Sequence, residues 1–438
     1  MQTASKKVIT GWAMYDWANS VYNLVITTTF FPIYFNEATK KQFGSDIIPF
    51  LGRKFINSSL YDYSLATAYL FIAVLYPVLT SIADTRGNKK NFMKFFCYMG
   101  AFGCSMLFFF SGSNIFLGIS CFMLAAMGYV GSLVFYNAFL PEIAAPEDRD
   151  RVSAKGFAYG YIGSVILQLI GFVLVLTMTK DPFLGPRITF LLVGLWWAGF
   201  AQITFSVLKN KSYPDRKRIN VFKEGFGELR KVYNEMKSQP VLKRYLRAFF
   251  CYSMGVQTVM LVASLFGIKV LQLDSTKLII TMVIVQLVAI PGAVWMSRLS
   301  AVFGNLRVLM GVVVIWILIC IAAWYIVRFK EQGGDPEFGF YGLAMLVGLV
   351  MGGIQSLSRS TYSKLMPETQ DTASYFSYYD LTEKVAIVIG MFSFGFIEEL
   401  TGSMKNSILS LIIFFVLGFI WLFSAFQKES RVVVPNIS

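Results

Sequence analysis

Asp84-Thr85-Arg86-Gly87-Asn88-Lys89-Lys90 is a short, basic, turn-prone segment held between two long apolar runs, about 62–82, which contains Pro77, and 92–112. A related segment stands in the second half of the chain. There Pro291 and Arg298 precede Gly304-Asn305-Leu306-Arg307, between apolar runs 277–297 and 306–327. The prolines are 214 residues apart and the glycines 217, so the second copy carries three extra residues. Further along each half, Tyr136-x-x-x-x-Pro141-Glu142 matches Tyr362-x-x-x-x-Pro367-Glu368 at an offset of 226. Each match is short, but their shared order in the two halves argues for an internal duplication.

The flanking runs are long enough to cross a bilayer, since about 20 helical residues cover roughly 30 Å of hydrocarbon. Working outward from them, the sequence predicts twelve spans: about 10–36, 62–82, 92–112, 115–138, 156–179, 188–208, 245–270, 277–297, 306–327, 339–363, 375–398 and 406–426. Of 438 residues, 56% are hydrophobic and 15% charged; soluble domains have about 45–50% and about 25%. The predicted fold class is therefore all-α integral membrane. The first run, Trp12 to Phe35, contains Asp16 and Asn19 and is followed by no small-residue cleavage pattern, so it is expected to remain as a membrane helix rather than a signal peptide.

Twelve crossings put both termini on one side. Lys and Arg number 27 on that side and 11 on the other, with Lys384 inside a span, which predicts cytoplasmic termini. The excess of 39 Lys+Arg over 25 Asp+Glu then reads as orientation, not as a nucleic-acid footprint. Short tails and lean loops favour a bacterial inner membrane over an organelle. The longest polar connection predicts three parts: a six-helix bundle at 1–208, a cytoplasmic linker at 209–244 and a second six-helix bundle at 245–438. Within the linker Phe222, Phe226, Leu229, Tyr233 and Met236 recur at helical spacing, away from Lys223, Arg230, Lys231 and Lys237. Such a helix either tethers the bundles or rests on the anionic inner leaflet.

Chemistry is sparse. There is no His, and the five cysteines (Cys97, Cys104, Cys121, Cys251, Cys320) all lie in apolar runs without metal-type spacing, so free buried thiols are expected. No phosphate-binding loop, nucleophile elbow or dinucleotide fingerprint occurs. No cofactor, metal or enzymatic activity is expected.

Placed between the second and third spans, Asp84-Thr85-Arg86-Gly87-Asn88-Lys89-Lys90 resembles the D-R-x-G-R-[RK] loop of the major facilitator superfamily, with Thr85 where the family usually has Arg. Gly11-Trp12-Ala13-Met14-Tyr15-Asp16-Trp17-Ala18-Asn19-Ser20, Leu140-Pro141-Glu142-Ile143 and the Gly156 to Gly163 stretch resemble the vacuolar-effluxer-like branch of that superfamily. The resemblance covers essentially the whole chain. It implies two six-helix bundles, export of amino acids or similar small solutes, and an Asp84 that caps or pairs with a neighbouring helix end to help close the inward face. The implied gating set is Asp84, Arg86, Gly87, Lys89, Lys90 and Glu142, with Arg298 and Glu368 at the matching positions of the second half.

Charges inside spans are costly, about 2.5–3.5 kcal/mol each at a helix centre on insertion scales, and so mark places to examine. Asp16 lies about two turns into the first span, with Asn19 and Asn23 along the same face. It either contacts a substrate amine or a proton, or stands in a structural ion pair near the cytoplasmic gate. Arg359 needs an anion, drawn from Asp380, Glu383, Asp16 or a substrate carboxylate. Asp380 and Lys384 are four apart and are expected to pair, leaving Glu383 as the spare carboxylate. Tyr15 and Tyr379 complete the binding candidates, with interface anchoring as the alternative.

The expected activity is that of a secondary permease for a small polar or zwitterionic solute, working by alternating access as a monomer in the lipid bilayer, coupled either to protons or to the solute gradient alone. An efflux permease for amphipathic drugs or lipids is the second reading, although the fifth span lacks a Gly-Pro pattern. A membrane scaffold or receptor is the third.

Overall fold

The computed structural model describes residues 2–210, 221–273 and 275–433. The first span is built from α1 (Lys6–Val21), a π-helical stretch (Tyr22–Phe30) and α2 (Phe31–Phe43). A two-stranded antiparallel hairpin follows, β1 (Ile47–Phe50) and β2 (Arg53–Ile56), with Ile47 opposite Ile56. Next come α3 (Asn57–Arg86), α4 (Lys89–Met106), α5 (Ile115–Ala138), the short α6 (Leu140–Ile143), α7 (Arg149–Thr177) and α8 (Leu184–Val207). The linker contains α9 (Val221–Ser238). The second half comprises α10 (Pro240–Leu265), a π-helical turn (Phe266–Val270), α11 (Ser275–Phe303), α12 (Asn305–Glu331), α13 (Glu337–Leu365), α14 (Thr372–Thr401) and α15 (Met404–Val433).

Ten helices among the described residues have the length and apolar character to cross a membrane. The two long helical segments outside that set are Lys6–Phe43 and Thr372–Thr401. They are the ones that carry Asp16, Asn19 and Asn23, and Asp380, Glu383 and Lys384, which lower their apolar character. Together the twelve make the predicted all-α fold of two six-helix bundles. Most helices run beyond the apolar core: the run read as 62–82 is a helix from Asn57 to Arg86. It stops because Gly87 takes a left-handed φ of 62°, a conformation a side chain would penalise, and α4 restarts two residues later.

The two bundles meet along two seams, α7 against α11 and α13, and α14 against α3 and α5. Small residues let helices close up: a Cβ at Gly348 or Gly352 would strike the α11 backbone at Val285 or Ala289. Large apolar side chains such as Phe71, Leu176, Val302 and Phe392 are exposed, as lipid-facing positions of a bilayer protein are. All five cysteines are free and buried.

Helix α9 packs along α3 and touches α14 and α10. Val232 and Met236 are buried, Lys231 lies 3.3 Å from Asp371, Glu235 accepts from the Tyr375 hydroxyl at 2.7 Å, and the exposed Tyr233 stacks with Tyr378. Met236 thus faces inward as expected, while Val232 is buried in place of Tyr233, because the surface the helix meets is protein. The side chains of Phe222, Lys223, Phe226 and Leu229 lie outside the described residues.

Candidate functional site

Among the described residues, three clusters built on buried charges join the two halves. The innermost is built around Arg359 of α13, which is 3% exposed. Its Nη1 and Nη2 lie 3.3 Å from Asp16 Oδ2, and Tyr136 of α5 donates to the same oxygen at 2.7 Å. Arg359 also donates to the Ser153 hydroxyl and carbonyl, both at 2.9 Å, and to Asn137 Oδ1 at 3.3 Å. The rings of Trp12, Tyr136 and Phe157 surround it at 4.9, 5.4 and 4.3 Å. A planar cation in a fork of acceptors, with aromatic faces around it, is the arrangement that suits guanidinium away from water. Gly156 makes the approach possible: a Cβ there would collide with Asp16 Oδ2 and come within 3.0 Å of Arg359 Nη2 and Tyr136 Oη.

Of the anions open to Arg359, Asp16 across the interface is the one it pairs with. Asn137 stands between Arg359 and Asp380, donating through Nδ2 to Asp380 Oδ1 at 3.4 Å. The expected Asp380–Lys384 pair is not formed. Lys384 instead meets its neighbour Glu383 at 2.8 Å, because its long stem swings toward Tyr69, whose ring it covers at 5.3 Å.

Glu383 lies eleven residues into the 30-residue α14, about 17 Å along the helix. Gln257 of α10 donates to its other oxygen at 3.0 Å. Glu383, Gln257, Tyr69, Gln355 and Asn23 are all half-buried where apolar neighbours are closed in, and Tyr161 of α7 donates to Gln355 Oε1 at 3.3 Å. Asn19 is buried in the first bundle, as is Tyr15, whose ring lies 5.2 Å from that of Tyr136. Tyr379 stacks on Phe249 at 4.3 Å.

The second cluster sits at the start of α14. Asp84 accepts from the backbone N–H groups of Ala373 at 3.2 Å and Ser374 at 2.8 Å, and from the Ser374 hydroxyl at 2.8 Å, so it caps a helix of the other bundle. Lys89 lies 3.1 Å from Asp84 and also donates to Glu142 and Thr372. Lys90 turns away to the last carbonyls of α8, Phe205 at 3.3 Å and Leu208 at 2.8 Å.

The third cluster occupies the equivalent place in the other seam. Asp150, in the first turn of α7, accepts from Ser300 at 2.8 Å, Asn305 at 2.7 Å and Lys364 at 2.6 Å. Arg149 beside it donates to the Ser363 carbonyl of α13. Arg298, Glu368 and Arg86 are exposed and outside these clusters. The matching positions carry other letters: Asn305 is the residue of the second loop that reaches across, and the acid has moved to α7. Sequence reasoning missed Asn137, Ser153, Arg149, Asp150, Asn305 and, apart from its count as a loop charge, Lys364. The one signal available was that Asn305 repeats Asn88.

Comparisons with known proteins agree with this architecture. The chain is 30% identical over 426 residues to the uncharacterized MFS-type transporter YxiO of Bacillus subtilis, covering 95% of this chain and 94% of that protein. It is 24% identical to autophagy-related protein 22-1 of Penicillium rubens over 92% of this chain and 86% of the relative. Among solved structures, the human organic anion transporter MFSD10 aligns with a TM-score of 0.73 at 12% identity, covering 95% of this chain and 99% of that one. The major facilitator transporter FucP in its outward conformation aligns with a TM-score of 0.66 at 13% identity, over 96% and 97%. The family model described as vacuole effluxer Atg22 like matches residues 4–433. The chain therefore belongs to the Atg22-like vacuole effluxer family and is a multi-pass membrane transporter of the major facilitator type.

Proposed function

We propose that the chain is a secondary permease for small zwitterionic solutes, amino acids first among them, and that it works by alternating access between bundles 1–208 and 245–438. The observation that carries the solute class is the adjacent Glu383 and Lys384 within α14, 2.8 Å apart, with Gln257 beside them. A zwitterion brings one cation and one anion. It can exchange the internal ion pair for two external ones without leaving a net buried charge, so the desolvation cost is shared by pairs throughout. An amphipathic drug would leave the pair unanswered.

In this reading residues 209–244 tether the two bundles, the termini face the cytoplasm of a bacterial cell, and one chain suffices. Asp16, buried against Arg359, is the proton-coupling candidate. Fluxes in reconstituted vesicles should then respond to an imposed pH gradient, and Asp16→Asn should abolish concentrative uptake or exchange.

The deciding experiment is a thermal-shift panel of amino acids, short peptides, sugars and amphipathic cations on the purified protein, followed by flux with any hit. Amino acids should stabilise the wild type, and Glu383→Gln and Lys384→Met should each lose that stabilisation. Stabilisation by amphiphiles alone, or amino-acid stabilisation that survives both substitutions, would overturn the proposal.

A further inference from the structure

The acceptors that Arg359 reaches, Asp16, Asn137 and Ser153, all belong to the N-terminal half, while Arg359 itself belongs to the C-terminal half. Its aromatic neighbours Trp12, Tyr136 and Phe157 are on the same far side. If the bundles part at the cytoplasmic end, as the alternating-access reading above requires, the guanidinium loses all of them in one movement. An unpartnered cation at that depth would hold the bundles shut.

A replacement is already in place within its own bundle. Asp380 of α14 is buried; among the described residues its Oδ2 has no hydrogen-bond partner and its Oδ1 accepts only from Asn137, whose own Oδ1 accepts from Arg359. Helices α13 and α14 are locked together at this level by Tyr362, which donates to the Tyr375 carbonyl at 2.6 Å and packs on Tyr379 with ring centres 5.1 Å apart. The Asn137 amide bridges the two groups, and it leaves with the N-terminal bundle.

We propose that Arg359 exchanges carboxylates during the cycle, bound to Asp16 when the cytoplasmic ends are closed and to Asp380 when they are open. Asn137 is the spacer that keeps the second pair apart in the closed form. Asp380 is thus a positioning residue for the open state, although in the closed structure it only receives a weak hydrogen bond.

The test uses spin labels at Glu147→Cys and Gln370→Cys, exposed positions on opposite halves, with the distance distribution read in lipid nanodiscs; the native cysteines are buried. Wild-type protein should show a short and a long distance. Asp16→Asn should raise the long population and Asp380→Asn should lower it, each by about tenfold or more in ratio, as expected for removing one partner of a buried pair. Asp380→Glu should restore the wild-type ratio. Asp380→Ser repeats the test with a smaller neutral side chain should Asp380→Asn not reach the membrane.

Opposite shifts support the exchange. A merely structural Asp380, holding Asn137 in the closed form, would shift the ratio in the same direction as Asp16→Asn, and that result, or no shift, overturns the proposal. One unmoving distance in every protein sinks alternating access itself, and the exchange with it; two distances with the wrong signs sink the exchange alone.

Discussion

Replacing Gly156 with Ala should open the cytoplasmic side. The added methyl would sit among three atoms that Arg359 draws together in the closed form: Asp16 Oδ2, with which it collides, and Arg359 Nη2 and Tyr136 Oη at 3.0 Å. Ordinary contacts are a few tenths of an ångström longer, and none of these atoms is free to retreat. The carboxylate is held by Arg359 and Tyr136, and Arg359 is held by Ser153. Overpacking of this kind costs about 1–3 kcal/mol. Alanine also improves helix propensity, but that gain is equal in both conformations and cancels from their ratio. Once Arg359 has withdrawn, Asp16 can rotate away, so the strain is confined to the closed state. The open-to-closed ratio should therefore rise by roughly fivefold to 150-fold, read from the spin-label pair described above. Gly199→Ala is the control, since a Cβ there meets nothing within 4 Å. A ratio that stays within twofold of wild type, or moves toward the closed form, refutes the claim that Gly156 exists to admit the ion pair.

The other two clusters make their own predictions. Asp84→Ala removes a cap from α14 and a partner from Lys89, a loss of about 2 kcal/mol or more; a cysteine placed at the buried Ser377 should then react with an impermeant maleimide at least tenfold faster from the cytoplasmic side. Asp150→Asn and Lys364→Met should each do likewise for a reporter cysteine at the buried Ser360, and the double variant should fall well short of the sum, because the two share one bond of 2.6 Å. Strict additivity would mean the two do not act as a pair.

Much of the fold was readable because its signals are local. A run of apolar residues specifies a span without reference to any other part of the chain, and the repeated Pro, Gly and Tyr-x-x-x-x-Pro-Glu positions expose the duplication. The site was readable only as a set of costly charges. Asp16 and Arg359 stood out because neither can face lipid, and Asp16 was among the four anions considered for Arg359. Choosing among them needed the docking of two bundles, since the partners are 343 residues apart in sequence. Asn137 and Ser153 carry no charge and gave no sign of their part, and Gly156 showed only as one of the glycines of the matched stretch. The expected Asp380–Lys384 pair failed for a related reason: helical spacing permits it, but a tertiary neighbour, Tyr69, draws the lysine elsewhere. Arg298 and Glu368 were carried over by position alone and are exposed in this closed form, as expected where duplication preserves positions in space better than it preserves the residues that use them.

That last point also explains the form of the gate. The two seams close at the cytoplasmic end in the same way, a loop between two helices reaching the first turn of a helix in the other bundle, yet the charges are redistributed. In one seam the acids lie at the end of α3 and on α6, with Lys89 of α4 between them; in the other the acid lies on α7 and the base on α13. What has been kept is a compact polar cluster at a helix start, and there is a physical reason to keep it. Apolar packing across both seams would gain with every square ångström buried and would oppose opening in proportion. A buried ion pair behaves differently, because its Coulomb gain is largely offset by desolvation, and that cost is returned when the seam opens and water enters. Such clusters fix the closed geometry sharply while leaving the closed and open states close in free energy, which a carrier needs if it is to cycle. A substitution that turned the Asp150–Lys364 pair into packed leucines should accordingly stabilise the protein to heat while slowing its turnover.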